Sequence, residues 1–373
     1  MTVEMLRTAH TIGRRPKAVT WKQFWDARWQ WSTAGSIHSQ YDEDLKFVSE
    51  DRALANKFIS LIRMPTRPIE YFLNRNPEIH AWSSLKYEWG KLRAIYGTDL
   101  TSYIMTHFAF AGCEDTLPAD FPVGSRARPS YVAAQIGGVL AKGSPLCLDF
   151  EDFNSQHSTA AMQAVMRAWL TVNSTSLSED QLHAGDWAVQ SVAQTTIHDM
   201  QGLNKTYRTK GTLMSGWRLT TFMNSLLNKV YTRKLLKQTK EVVPSVHNGD
   251  DVLLSINNID TLQKIVNNAK HHNIRISKKK TSYGGIAEFL RVDHTRGGMG
   301  QYLARNVATL MHGRIESKKA VSALDSIEAL ENRLVEYNER GGAMNIAARL
   351  RVNYYGRMAT VFDTPYKTTK HTQ

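Results

Sequence analysis

The chain has 373 residues, 42% of them hydrophobic, and a formal net charge of +13. That length buries a sizeable core and suits two or three domains or one multi-lobed catalytic unit, and the excess of Lys and Arg favours a polyanionic partner, because cations release counterions from phosphate backbones. Two cysteines are too few for a disulfide framework or a cysteine-based zinc site, and the 13 His show no spaced ligand cluster. No segment reaches the roughly 18 consecutive apolar residues of a spanning helix, and the first residues lack a signal-peptide core, so an intracellular, soluble chain with nucleic acid rather than membrane as its partner is expected.

In chain order, residues 1 to about 85 are basic and aromatic, with Trp21, Trp25 and Trp29 spaced as a helical stripe that predicts core packing. Lys86, Lys91 and Arg93 then place three cations within eight residues, a pattern that suits a triphosphate and equally suits a solvated face. Residues 117–145, rich in Gly, Pro and Ser, predict loops around one short helix. A strand is predicted from Leu146, then helices over 157–170, 187–200 and 217–235, a hairpin over 242–256, a helix over 259–272 and a short strand over 273–277. Ile327, Leu330, Leu334 and Tyr337 form one face of a late helix that Gly341 and Gly342 should stop. The order predicts an α+β fold with helices on one face of a mainly antiparallel sheet.

Three constellations can carry chemistry. On Leu146 to Asn154 the apolar half should be buried and Asp149 should emerge at its end, whereas Asp152 reads as a cap for the next helix. In Val246 to Leu254, Asn-Gly predicts a type I′ turn that sets Asp250 and Asp251 at a hairpin tip; alone, this is also ordinary surface-turn chemistry. Two acidic positions brought together from different strands are what a pair of Mg²⁺ ions needs, because hard cations take carboxylate oxygens and leave room for phosphates. Between them lies Gly211 to Asn224, where Ser215 and Gly216 feed a helix on which Thr220, Asn224 and Asn228 recur every four residues. That polar row should face water or a hydrogen-bonding substrate. Lys278, Lys279 and Lys280 supply a proton donor or a plain charged run.

Taken in order, the cations, the Asp strand, the Ser-Gly loop with its Thr and Asn, the Gly-Asp-Asp hairpin, the Lys and then Glu288, Phe289, Leu290 and Arg291 resemble the palm-domain RNA-dependent RNA polymerases of RNA viruses. The wording of Leu148 to Ser158 and of Glu288 to Val292 is most similar to the totivirus group of double-stranded RNA viruses, over roughly residues 86–295. The resemblance implies a right-hand polymerase: an N-terminal or fingertip region at 1–85, fingers at 86–145, an antiparallel palm with an RRM-like core at 146–295 carrying a finger insertion around 165–205, and a short helical thumb at 296–373.

It also implies roles. Asp149 and Asp250, with Asp251 assisting, bind two Mg²⁺ or Mn²⁺ ions; Asn154 senses the ribose, with Ser215, Gly216, Thr220 and Asn224 completing the substrate site; Lys86, Lys91 and Arg93 bind the triphosphate; Lys280 is the general acid. Its implied partners are RNA template and product, ribonucleoside triphosphates and viral capsid protein, in the virion interior or host cytoplasm. A reverse transcriptase is the rival enzyme, disfavoured because Asn154 stands where such enzymes resemble this layout but carry an aromatic gate; a catalytically silent RNA-binding remnant is the rival non-enzyme. The segments flanking the resemblance are short beside those of the family, which suggests a fragment, a trimmed chain or a minimal polymerase.

Overall fold

The computed structural model describes residues 1–88, 91–202, 204–296, 301–312 and 322–363. The chain divides into two compact units, the first comprising residues 1–85 and 94–283, the second residues 86–93 and 284–373.

The first unit holds most of two four-stranded sheets. One has the strands β1 (Ile79–Glu88), β2 (Lys91–Thr98), β4 (Thr195–His198) and β5 (Thr206–Arg208), in the order β2-β1-β4-β5. Within it β1 and β4 run parallel, Ile79 opposite Thr195, a mixed element in a fold read as mainly antiparallel. The other contains β3 (Ser144–Leu148), β6 (Ser245–Asn248), β7 (Asp251–Ile256) and β8 (Ser282–Tyr283), in the order β6-β7-β3-β8, antiparallel throughout. Strand β3 is central because its side chains are apolar on both faces: Leu146, Cys147 and Leu148 are all buried.

Helices cover these sheets. Leu100–Ala109 is buried along nearly its whole length, started by Asp99, whose carboxylate accepts from Ser102 N at 2.8 Å. The helix Thr220–Leu235 buries Phe222, Met223, Leu226 and Leu227 in the main core, while its later residues Tyr231 and Leu235 join Leu146, Leu148, Leu254 and Ile265 beneath the second sheet. Trp21 and Trp25 pack in the core as expected, ring centroids 5.5 Å apart, but the helix breaks after Asp26 and Trp29 is 60% exposed. The predicted helix over 187–200 is instead Glu179–Ser191, and its expected second half is β4, where Thr195 and Ile197 alternate inward. Residues 273–277 give only an isolated bridge, Phe150 to Ile276. Cys113 and Cys147 are buried, and neither is in a disulfide.

In the second unit the helices Leu303–His312, Ala323–Glu339 and Met344–Val361 share a core of Ile327, Leu330, Leu334, Tyr337, Ala347 and Tyr355. The predicted face of the Ala323–Glu339 helix is buried, and Gly342 N bonds to Tyr337 O at 2.8 Å just beyond its end. Among the described residues no helix is long and apolar enough to cross a membrane.

Candidate active site

The site grows from the register of β3 and β7. Leu148 pairs with Val252, so Asp149, the next residue on one strand, and Asp251, the preceding residue on the other, end neighbouring strands side by side. Asn248 pairs with Asp251, which leaves Gly249 and Asp250 as the two-residue loop. The type I′ expectation is therefore shifted by one residue. Asn248 belongs to β6, its amide bonding to Pro122 O at 2.7 Å, and of the two loop residues only Gly249 takes a positive φ, +61°. A single positive φ at the first loop position is the pattern of a type II′ turn. The type I′ pattern occurs elsewhere, between β9 (Glu288–Phe289) and β10 (Val292–Asp293), where Leu290 and Arg291 take φ of +51° and +67° without a glycine.

Asp149 is fixed through its main chain. Its carbonyl accepts from Ser277 N at 2.8 Å and its N–H donates to Thr281 Oγ1 at 3.3 Å. Lys280 Nζ lies 3.2 Å from both carboxylate oxygens, so of the three consecutive lysines Lys280 is the one that faces Asp149. Asp250 and Asp251 are exposed.

The polar row on the Thr220–Leu235 helix faces neither water nor an open cleft throughout: Asn224 and Asn228 are buried, and both are satisfied by protein groups. Asn224 Nδ2 donates to Asn154 Oδ1 at 2.9 Å, and Asn224 Oδ1 meets His157 Nε2 at 2.8 Å. An amide oxygen only accepts, so His157 carries its proton on Nε2. Burial, partly offset by the Asn224 bond, lowers the His157 pKa to about 4 and keeps the ring neutral. Asn154 thus spends its oxygen on Asn224, while its amide hydrogens have no partner among the described residues. Thr220 Oγ1 donates to Met214 O and Trp217 O, closing the Ser-Gly loop. Ser215 Oγ accepts from Tyr96 N at 3.2 Å, and a Cβ on Gly216 would lie 2.1 Å from Tyr96 O, so only glycine lets this loop approach β2.

Asn228, read in the sequence only as a member of the polar row, and His247, given no role there, are the residues whose part in the site sequence reasoning missed. Asn228 Nδ2 points at three successive carbonyls, Gly249 O at 3.2 Å, Asp250 O at 3.0 Å and Asp251 O at 3.2 Å. Its oxygen lies 2.9 Å from His247 Nδ1, and His247 Nε2 lies 2.9 Å from Ser245 Oγ, which accepts from Lys229 Nζ at 2.7 Å. Donor and acceptor rules order the chain: Lys229 to Ser245, Ser245 to His247 Nε2, His247 Nδ1–H to Asn228, and Asn228 to the hairpin. Full burial, with Lys229 and Arg233 nearby, holds the His247 pKa well below its ordinary value, so the ring stays neutral. Ser225 Oγ accepts from Gly249 N at 2.8 Å, so the turn is gripped from the helix at a further point. The signal was present in the row itself, since Asn228 follows Asn224 by one helical turn.

Asp152 stands at the N-cap of the short 3-10 turn Phe153–Gln156 without a side-chain cap bond, and does not cap the helix Thr159–Asn173. It sits at φ +44°, and Ser158 is the cap, accepting from Ala161 N. Lys86 and Arg93 are exposed and belong to the second unit, as does Lys91, whose side chain lies outside the described residues.

The donors at the ends of β3 and β7 are carboxylate oxygens only, the chemistry that suits Mg²⁺ or Mn²⁺ rather than a soft metal. Among the described residues no three His, Cys, Asp or Glu converge to hold an ion unaided. Carboxylates from two strand ends still fit magnesium, which is commonly held by one or two carboxylates together with water and substrate phosphates.

Residues 2–315 match the family of viral RNA-directed RNA polymerases. The chain belongs to that family. Over 349 residues it is 40% identical to a probable RNA-directed RNA polymerase of Saccharomyces cerevisiae virus L-A, covering 92% of this chain and 23% of the relative. The counterpart from Saccharomyces cerevisiae virus L-BC is also 40% identical, over 347 residues, with the same coverages. One from Helminthosporium victoriae virus-190S is 30% identical over 355 residues, covering 90% of this chain and 39% of the relative. The chain therefore spans about a quarter of the length of the two yeast-virus relatives. These relatives bear out the totivirus-like reading of the motifs. In three dimensions the chain is similar to the RNA-dependent RNA polymerase of a human picobirnavirus, solved as an insertion-loop deletion mutant, with TM-score 0.60 and 13% identity over 95% of this chain and 74% of that one. That likeness establishes the fold, mixed helix and sheet with an antiparallel sheet.

Proposed function

We propose that this chain is the polymerising core of an RNA-directed RNA polymerase from a totivirus-like double-stranded RNA virus, adding ribonucleotides to RNA on an RNA template. The observation that carries the reading is the pairing of β3 with β7, which ends in Asp149 and Asp251 side by side with Lys280 over Asp149. The antiparallel sheet is then the palm. Its flanking segments are fingers at 86–145, a finger insertion around 165–205 and a helical thumb at 296–373, with residues 1–85 as the fingertip region.

Asp149, Asp250 and Asp251 would hold two Mg²⁺ or Mn²⁺ ions, which when bound lower the pKa of the attacking 3′-hydroxyl and balance charge on the leaving pyrophosphate. The chain's own residues do the rest by placement and charge. Asn154 offers a free amide N–H to a ribose 2′-hydroxyl, and Asn224 fixes that amide by taking up its oxygen. Ser215, Gly216 and Thr220 form the loop beneath it. Lys280 delivers a proton to the departing pyrophosphate, and Lys86, Lys91 and Arg93 neutralise the triphosphate. RNA, ribonucleoside triphosphates and capsid protein are the partners, in the virion interior or host cytoplasm. Asn154, a polar side chain in place of an aromatic gate, disfavours a reverse transcriptase.

Incorporation of labelled ribonucleotide on single-stranded RNA with Mg²⁺ or Mn²⁺, beside an Asp250→Asn protein, tests the reading. Activity in the parent and loss in the variant is expected; unchanged incorporation in the variant would sink it. Uptake of deoxyribonucleotide in preference to ribonucleotide would favour the reverse transcriptase instead.

A further inference from the structure

A cavity of about 580 Å³ opens in the first unit between the helix Ile259–His271 and the end of β3, with Leu148, Leu262, Ile265, Ala269, Ile274 and Ile276 among its lining residues. This is within the size range of small-molecule pockets. Its origin lies in the helix sequence. Leu262, Ile265, Val266 and Ala269 share one face, but only Ile265 and Ala269 are buried, and Leu262 and Val266 stay half-exposed along the cavity. Uncovered apolar surface of this kind favours an apolar occupant, because its removal from water is favourable.

The polar groups of the wall give the occupant its charge. Lys270 and Lys278 both line the cavity and are exposed, and neither side chain makes an ion pair or hydrogen bond among the described residues. Arg275, a third lining cation, is committed to Ser155 and stands 3.9 Å from Asp152. Among the described residues no carboxylate lines the cavity. An apolar floor is unfavourable for a nucleotide, whose phosphates and ribose need polar partners throughout, and two unpaired ammonium groups favour an anionic ligand over a neutral one.

We propose that this cavity is a binding site for a small amphipathic anion, an alkyl or aryl body seated on Leu262, Val266 and Ile276 with its carboxylate or sulfonate held by Lys270 and Lys278. The site is separate from the polymerase reading and does not depend on it. Its wall nevertheless includes Leu148, next to Asp149, and Thr281, whose hydroxyl accepts from Asp149 N.

The probe is 8-anilinonaphthalene-1-sulfonate, titrated by fluorescence into the full chain under conditions where it melts cooperatively. One saturable equivalent is expected, with the uncharged N-phenyl-1-naphthylamine binding more weakly. A Lys270→Glu, Lys278→Glu double variant, altered only at exposed positions, should weaken the sulfonate at least tenfold, and Val266→Asp should do the same from inside the cavity. Absence of saturable binding to the folded parent, or binding that the double variant leaves unchanged, overturns the proposal.

Discussion

Lys280 Nζ is equidistant from the two carboxylate oxygens of Asp149, 3.2 Å from each. The pair is open to solvent, 59% and 35% exposed, so it contributes at most about 1 kcal/mol to stability. Placed beside a carboxylate proposed to hold metal, its value would be chemical. Lys280→Ala should lower single-nucleotide incorporation by about 10²–10⁴-fold, the usual size of a general-acid contribution, with the thermal midpoint almost unmoved. Equal incorporation by Lys279→Ala and Lys280→Ala proteins would assign the proton donor elsewhere.

Asn154 should govern sugar choice. Its oxygen is held by Asn224 at 2.9 Å, and its amide hydrogens have no partner among the described residues. In Asn154→Ala the 2′-hydroxyl loses its donor, and discrimination between UTP and dUTP should fall by about tenfold, the value of one hydrogen bond of about 1–1.5 kcal/mol. The ratio of kcat/KM for the two substrates measures it, and an unchanged ratio would remove Asn154 from ribose recognition.

Asn228 should matter to both stability and metal response. Asn228→Ala removes the donor shared by three hairpin carbonyls and leaves the buried His247 Nδ1–H unpaired, at a cost of about 1–3 kcal/mol. Asn228→Asp keeps the volume but sets a carboxylate against those carbonyls, and should be worse. Thermal melting reads the first effect. The Mn²⁺ concentration for half-maximal incorporation reads the second, and should rise in any variant that remains folded; if it stays at the parental value, the hairpin does not need this grip.

Acid should destabilise the first unit through its buried histidines. His157 falls to about 4 and His107 to about 3, both mainly because burial penalises the charged ring. A folded pKa below the unfolded value of about 6.5 means the unfolded chain binds protons first on acidification. The His157 contribution is therefore complete above pH 6.5 and lost as pH falls from there to about 4. Urea midpoints at pH 7.5 and pH 5 should show the loss, and His157→Gln should make it shallower. An identical pH slope in that variant would place the acid sensitivity in other groups.

Where chemistry and local pattern coincide, the sequence was readable. The apolar run ahead of Asp149 could only be a buried strand, and the Gly-Asp-Asp segment between β-branched residues could only be a hairpin. The late helix face of Ile327, Leu330, Leu334 and Tyr337 was equally plain. What escaped notice depended on partners distant in the chain. Asn248 lies in a strand rather than a turn because Pro122 O, far upstream, takes its amide. The parallel pairing of β1 with β4 joins segments over a hundred residues apart, which local periodicity does not register. The Asn row was seen as a face, yet its partners, Asn154, His157 and the hairpin, appear only once the helix is laid against them.

The hairpin is held by its backbone carbonyls, and this has a consequence for how such a gene can change. The carboxylate of Asp250 has no structural duty in the contacts described, so under the metal-binding role proposed for it selection at that codon would act on catalysis, and an Asp250→Asn protein should be inert yet intact. At Asn228 the same degree of change damages the scaffold. A mutational survey of the two positions should therefore yield two different kinds of dead enzyme, one abundant in the cell and one scarce.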